Sequence, residues 1–456
     1  MRYISTRGET APLSFKDAVI TGLAPDGGLL LPEQVPDVAA ELAGWRGLSF
    51  QQLAVEVMSC FIGDVSREDL TRIVQISYGG FDAPEVTPVV GLGDLTLLEL
   101  FHGPTLAFKD VALQFLGNLF EHILTERRER LNVIGATSGD TGSAAIAGVR
   151  GKDRIAIFVM YPQGRTSALQ ELQMITVVDD NVHSLAIDGS FDDCQGILKR
   201  IFGDLEFKQR FHLGAVNSVN WARVLAQIVY YIYSYLLVAE EDEALTFSVP
   251  TGNFGDIFAG FMAARMGLPV DRLILATNEN DILTNFFNTG RYRRGQVQFT
   301  ITPAMDIQVA SNFERFLYYR LGEDGEAVKS FMQSFTDKGE ASVEVDGPVC
   351  DLIEAISIDT DATLAEMREV YERHRYVLDP HTAVGVAAAR RLPRQSRIIC
   401  LATAHPAKFP ESVERALGGV SATHPSLQGL DRAPTRREVL PADEEAVKRY
   451  VSEHAL

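Results

Sequence analysis

Positive charge is in short supply in this chain: 42 lysines and arginines face 61 aspartates and glutamates, a net charge of −19 over 456 residues. Binding a phosphate backbone needs a basic footprint, so this balance argues against a nucleic-acid partner. It still leaves room for a locally basic pocket, which an anionic substrate would require. Cysteine is equally sparse. Cys60, Cys194, Cys350 and Cys400 lie far apart, with no C-x-x-C pair and no cysteine–histidine cluster at zinc spacing, so neither a structural disulfide nor a metal is expected. That usage suits a reducing compartment, and a cytoplasmic location is expected. Long apolar runs are missing too. The best candidate, VLAQIVYYIYSYLLVA at 224–239, contains Gln227, Ser234 and four tyrosines; it is short for a membrane span and reads as a buried helix. The N-terminal MRYISTRGETAPLSF has no apolar core of signal-peptide type. No G-x-x-x-x-G-K-[ST] occurs and no well-placed G-x-G-x-x-G, which counts against P-loop nucleotides and nicotinamide dinucleotides. Internal repeats and low-complexity tracts are absent as well.

What is present is ordinary globular material, 46% hydrophobic and 23% charged, in a chain long enough for about three domain-sized units. The first part is mixed, with the turn-rich APDGGLLLPEQVP, then SFQQLAVEVMSCFIG at helical spacing with a glycine stop, then a linker into the short strand LTLLEL. From Leu131 a rhythm sets in. LNVIGA leads into TSGDTGS, RIAIFVMYP into QGRTSALQELQM, LTFSVP into TGNFGD, DRLILATNEN into DILTNFFNTG, and SRIICLATA into HPAKFPESVERALGG. Continuous apolar strands alternating with helices predict α/β architecture with parallel sheets covered on both faces. Ligands of such sheets sit beyond the carboxyl ends of the strands, where these loops fall.

Several of the loops suit anions. In TGNFGD, Gly252 and Gly255 let backbone N–H groups approach a ligand at a helix N-terminus, a phosphate-type site. The same stretch equally suits a tight turn with Asp256 capping the helix. TSGDTGS offers Thr137, Ser138, Thr141 and Ser143 to a carboxylate or phosphate, with Asp140 as a ligand acceptor or, more simply, a helix cap. VNSVNWARV brings Asn217, Ser218, Asn220 and Arg223 together; they suit a phosphate monoester, or else a solvated helix start with Arg223 on the surface. At the last strand, Thr403 offers a hydroxyl, with His405 and Lys408 in the turn that follows. In LDPHTAVG, Asp379 reads as a helix cap with Pro380 at the first position and His381 next to it.

HGPTLAFKDVALQFLG carries the sharpest question. Lys109 follows the apolar Leu106–Ala107–Phe108 and precedes Asp110. Burial removes hydration from an ammonium and pushes it toward the neutral amine. Either the side chain snorkels to water or pairs with Asp110, or it is a Schiff-base lysine kept ready for carbonyl chemistry.

HGPTLAFKD, ATSGDTGS, NSVNWAR, PTGNFGD, DPHTAVG and ATAHPAKF, in this order, together with the N-terminal YISTRG…FKDAVITGLAPDGGLLLPEQVP, resemble the threonine synthases. The likeness runs from about residue 2 to near 420. It implies a pyridoxal-5'-phosphate enzyme of the fold type II, tryptophan synthase β-like architecture: two parallel-type α/β domains plus an N-terminal domain. The expected cuts are an N-terminal domain at 1–95, a smaller α/β domain with the Schiff-base lysine at 96–215, and a larger one with the cofactor phosphate loop at 216–456. The resemblance makes Lys109 the cofactor-linked lysine and places Phe108 beside it. It makes Gly252, Asn253, Phe254, Gly255 and Asp256 the cofactor phosphate loop, and Thr403 the hydroxyl facing the pyridine nitrogen. Asp140 falls where many relatives put an asparagine near the ring hydroxyl. Ser138 and Thr141 would face the substrate carboxylate, and Asn217, Ser218 and Arg223 its phosphate.

The activity implied is conversion of O-phospho-L-homoserine and water to L-threonine and phosphate by a monomer or homodimer with no membrane partner. Two alternatives stand beside it: a threonine-synthase-like phospho-lyase releasing a 2-keto acid and ammonia, and a catalytically silent relative acting as a binding or scaffold protein.

Overall fold

The computed structural model describes every residue except 138, 216–217, 242 and 393–395. Two parallel sheets dominate. The larger has six strands in the order Ile353–Ser357, Val270–Thr277, Leu245–Pro250, Ile398–Ala402, Leu95–Glu99 and Val89–Leu92, parallel except for the last pair. The smaller has five, Glu438–Pro441, Val182–Asp188, Ile155–Pro162, Leu131–Ala136 and Leu213–Gly214, all parallel. Ile155–Pro162 is buried at every position, as is Leu245–Pro250. That is why both read as unbroken apolar runs: central parallel strands have helices on each face and no wet side.

The N-terminal segment pairs Tyr3–Ser5 antiparallel with Leu30–Pro32. Helix Phe50–Ser59 opens on a reciprocal Ser49–Gln52 capping box and ends at Ser59, short of the glycine expected to stop it. It packs on the helix Trp221–Val238, where the Phe50 and Tyr233 rings meet edge-on at 5.4 Å, and against Arg67–Tyr78, which in turn packs on Lys109–Arg127. Trp221–Val238 is apolar and long enough to cross a membrane by composition, yet it is buried along most of its length in the core, as its interrupting polar residues implied.

Sheet membership does not follow the cuts expected at 95/96 and 215/216. A boundary at 95/96 falls at the first residue of Leu95–Glu99, whose neighbours are Val89–Leu92 and Ile398–Ala402 in the larger sheet. At the other end of the chain, Glu438–Pro441 pairs with Val182–Asp188, and helix Glu444–His454 seats Val447 and Val451 against Cys194 and Ile197. Parallel strands are joined by crossovers rather than tight turns, so sequence distance sets no limit on which edges meet.

One helix contact places the site. Lys109–Arg127 crosses Asp140–Val149 at Gly117 and Gly148; a Cβ on Gly117 would lie 2.0 Å from the Gly148 carbonyl oxygen. Backbone touches backbone there, which only glycine permits.

Candidate active site

The residues at the carboxyl ends of the strands meet in one cavity. It is lined by Phe108, Lys109, Asp140, Thr141, Ser218, Arg223, the run 252–256 and Thr403, together with Gln227, Ala304, Met305 and His381. Every site residue expected from the sequence lies on this list except Ser138 and Asn217, which fall outside the described residues.

Lys109 is set in place by a short zipper between segments distant in sequence. Phe108 N donates to the Thr403 carbonyl at 2.8 Å, His405 N donates to the Leu106 carbonyl at 3.0 Å, and Ala107 bridges Ala404. Lys109, first residue of its helix, thus emerges beside Thr403, which directly follows the strand Ile398–Ala402. Its side chain is 12% exposed. Burial pushes the amine toward the neutral form, opposed by Asp140 and assisted by the positive Lys408 and Arg223. The surface and Asp110-pairing readings both fail, because Asp110 is buried and spends its oxygens on Thr105: Oδ2 accepts from the amide at 2.8 Å and Oδ1 from the hydroxyl at 2.7 Å.

Asp140 does not cap its helix either; the cap position is Gly139, with no side-chain bond. Instead Asp140 Oδ1 accepts from Lys408 Nζ at 2.8 Å and from Gln170 Nε2 at 2.9 Å, while Oδ2 lies 3.7 Å from Lys109 Nζ. The two lysines overcome burial and hold this carboxyl well below the usual carboxylate range.

The 252–256 loop is tight. A Cβ at Gly252 would sit 2.4 Å from the Ala304 carbonyl oxygen, so chain and loop approach as closely as backbone allows. Phe254 adopts φ 65°, a left-handed conformation costing a side chain about 1 kcal/mol or more. Its ring is clamped among Phe287, Phe313 and Phe316 at 5.8–5.9 Å, which over-determines the strained backbone. Asp256 is not a cap: Oδ1 accepts from the Tyr230 hydroxyl at 2.5 Å and the Tyr231 hydroxyl at 3.0 Å. Burial pushes it up to about 6.

Arg223 is 4% exposed, not at the surface. Its Nε and Nη1 have no hydrogen-bond partner among the described residues. Desolvation drives it down to about 10. Nearby, the Ser218 and Ser311 hydroxyls share a hydrogen bond at 2.6 Å. His381 Nδ1 meets Asp379 Oδ1 at 3.0 Å, and its Nε2 accepts from Ala304 N at 3.3 Å.

Gln227, His381 and Lys408 are the residues that sequence reasoning left without a role. Gln227 stands one turn after Arg223 on the same helix, where it served only as evidence against a membrane span. A lone amide on an otherwise apolar helix was the available signal.

A glycine turn with no room for a Cβ and a desolvated lysine amine fit an aldehyde-bearing aromatic phosphate, and the buried guanidinium of Arg223 with its unpartnered nitrogens offers a second place for an anion. Fold and donor set define the class: this is a pyridoxal-phosphate dependent enzyme of fold type II, and the family model of that description, Pyridoxal-phosphate dependent enzyme, matches residues 81–404. Models described as Threonine synthase N terminus and Threonine synthase, C-terminal match residues 2–78 and 382–451. The chain belongs to the threonine synthase family. It is 46% identical to the threonine synthase of Pseudomonas aeruginosa over 100% of this chain and 98% of that one. A crystal structure of PLP-bound threonine synthase from Brucella melitensis superposes with a TM-score of 0.96 at 44% identity, covering 100% and 99% of the two chains. The threonine synthase-like 2 protein of Xenopus laevis is more distant, 35% identical over 91% of this chain and 90% of that one.

Proposed function

We propose that the protein is a threonine synthase that converts O-phospho-L-homoserine and water to L-threonine and phosphate, the closing step of threonine biosynthesis. One observation carries the reading: a desolvated lysine amine shares a cavity with two separate anion grips, the 252–256 turn and Arg223. A substrate that is itself phosphorylated, used beside a phosphorylated cofactor, needs both. The higher identity to threonine synthases than to the like-2 protein supports synthase over phospho-lyase chemistry.

Lys109 would bond the cofactor aldehyde, the backbone of Gly252, Asn253, Phe254, Gly255 and Asp256 would hold its phosphate, and Thr403 and Asp140 would face its ring nitrogen and ring hydroxyl. Phe108 packs beside that lysine, 4.9 Å from ring centroid to Nζ. When bound, pyridoxal phosphate supplies the electron sink for charge developing at the substrate Cα. Lys109 Nζ, whose affinity for protons burial lowers, takes the proton from Cα and then one from Cβ. Arg223, Ser218 and Asn217 bind the substrate phosphate and steady it as the Cγ–O bond breaks. Ser138 and Thr141 orient the carboxylate. After Cγ is protonated, water adds at Cβ; phosphate retained by Arg223 helps activate that water. The site is drawn from loops of both sheets, so their closure would exclude water until this step. The scattered free cysteines support a cytoplasmic location, and the chemistry needs neither nucleic acid nor membrane; a monomer or homodimer would suffice.

The test is product identification. Incubated with phosphohomoserine, the loaded enzyme should release threonine and inorganic phosphate in equal amounts by proton and phosphorus NMR. A 2-keto acid with ammonia as the main product would overturn the assignment.

A further inference from the structure

We propose that Lys408 is a positioning residue for Lys109, acting through Asp140: it anchors one carboxylate oxygen and aims the other at the reactive amine, setting a second positive charge behind the shared carboxylate. The inference rests on the cofactor reading of the cavity. Lys408 lies on the short turn Pro406–Lys408, with a fully buried side chain. A lysine is almost never buried without a purpose for its charge. Its ammonium makes two bonds, to the Thr105 carbonyl at 2.6 Å and to Asp140 Oδ1 at 2.8 Å. The carbonyl is itself fixed, since Asp110 grips the Thr105 amide and hydroxyl and Gln173 Nε2 donates to the same oxygen at 3.3 Å. Gln170 Nε2 fills the remaining place on Asp140 Oδ1, leaving Oδ2 to face Lys109.

Two cations therefore share one carboxylate. With Lys109 alone, Asp140 would form a plain ion pair and keep the amine protonated. With Lys408 saturating Asp140, the carboxylate's pull on Lys109 is offset, and the free electron pair that proton transfer needs becomes accessible. The other charged groups around Lys109 are Arg223 on the helix Trp221–Val238, Asp256 on Gly255–Arg265 and Asp110 on its own helix, while His381 faces Asp140. Direct bonds from this set run to Tyr230, Tyr231, Thr105 and Asp379; among the charged groups of the described residues Lys408 alone bonds Asp140, beside the neutral amide of Gln170.

The experiment is a pH titration of the visible cofactor absorbance of the holoenzyme without substrate, for wild type, K408M, K408Q, K408R and K109A, each checked by thermal unfolding. Removing a nearby positive charge should move the midpoint upward by about one pH unit or more in K408M and K408Q. K408R should stay within a few tenths of wild type. Folded K408M and K408Q with the wild-type midpoint would overturn the proposal. Failure of both neutral variants to fold, with K408R folded, would overturn it too, by making Lys408 a structural staple. Absence of a visible band in the wild type, or a band that persists in K109A, would instead sink the cofactor reading on which the proposal stands, and a wild-type band that does not titrate would overturn the proposal itself.

Discussion

Arg223 offers a test in which stability and activity should move in opposite directions. Its guanidinium is buried, with two nitrogens lacking protein partners, and desolvation takes it from 12.5 down to about 10. At 1.36 kcal/mol per pKa unit, keeping that charge in the folded chain costs about 3 kcal/mol at neutral pH. The sign is that of a base with a depressed folded-state pKa: the cost applies wherever the group is charged, throughout the range below pH 10. Arg223→Met fills most of the volume without the charge, so the substrate-free enzyme should unfold about 1–3 kcal/mol later, a rise of a few degrees. Catalysis should suffer. A bidentate grip on phosphate comprises two charge-assisted bonds of about 1.5–3 kcal/mol each, so kcat/KM on phosphohomoserine should fall by about two to four orders of magnitude. Cofactor absorbance should be spared, and millimolar inorganic phosphate should raise the melting temperature of the wild type but not of the variant. The assay is a pair of melting curves with and without phosphate, beside steady-state kinetics. A variant that melts earlier than wild type and keeps its kcat/KM would refute the reasoning, because it would make Arg223 a structural residue with a partner after all.

Three further outcomes follow from the same geometry. Lys109→Ala should lose the visible cofactor band and at least about a thousandfold in turnover, read by absorbance and threonine release; a coloured, active variant would contradict its assigned role. Asp256 is raised from 3.8 to about 6, so its contribution to stability is full below about pH 4 and is lost as pH rises through 6. Asp256→Asn should therefore flatten the melting temperature across that window, and an unchanged pH profile would count against burial as the cause. Gly117→Ala drives a Cβ into the Gly148 carbonyl and should lower stability by about 1–3 kcal/mol, with a fall in kcat that a calorimeter and a rate assay can read together.

Local pattern revealed six of the eleven strands of the two large sheets, because parallel strands buried on both faces read as apolar runs; the interior strand Val182–Asp188, with His183 and Ser184 in it, did not stand out. Loop positions were equally legible, since glycine and hydroxyl residues had to stand where strands give way to helices. What escaped was partnership across long sequence distances. Asp140 looked like a cap because capping is the commonest local use of an aspartate there; its actual partner is Lys408, 268 residues along. Arg223 looked exposed because arginine on a helix usually is. Nothing within a helix-length window says that the opposite wall of a cavity will be lined with groups that want an anion. Sheet membership across the expected cuts was hidden for a similar reason: a strand near residue 440 completing a sheet begun near 130 leaves no mark on either segment.

The glycine crossing has a mechanical corollary. Gly117 lies eight residues beyond Lys109, and Gly148 eight beyond Asp140. At 1.5 Å per residue, each arm is about 12 Å long from pivot to working end. The two helices thus behave as blades riveted at a common fulcrum, and a rotation of about five degrees there would open or close the gap between amine and carboxylate by about 1 Å. A bulge no larger than a methyl group, two turns away from any reacting atom, would be felt as leverage at the tips.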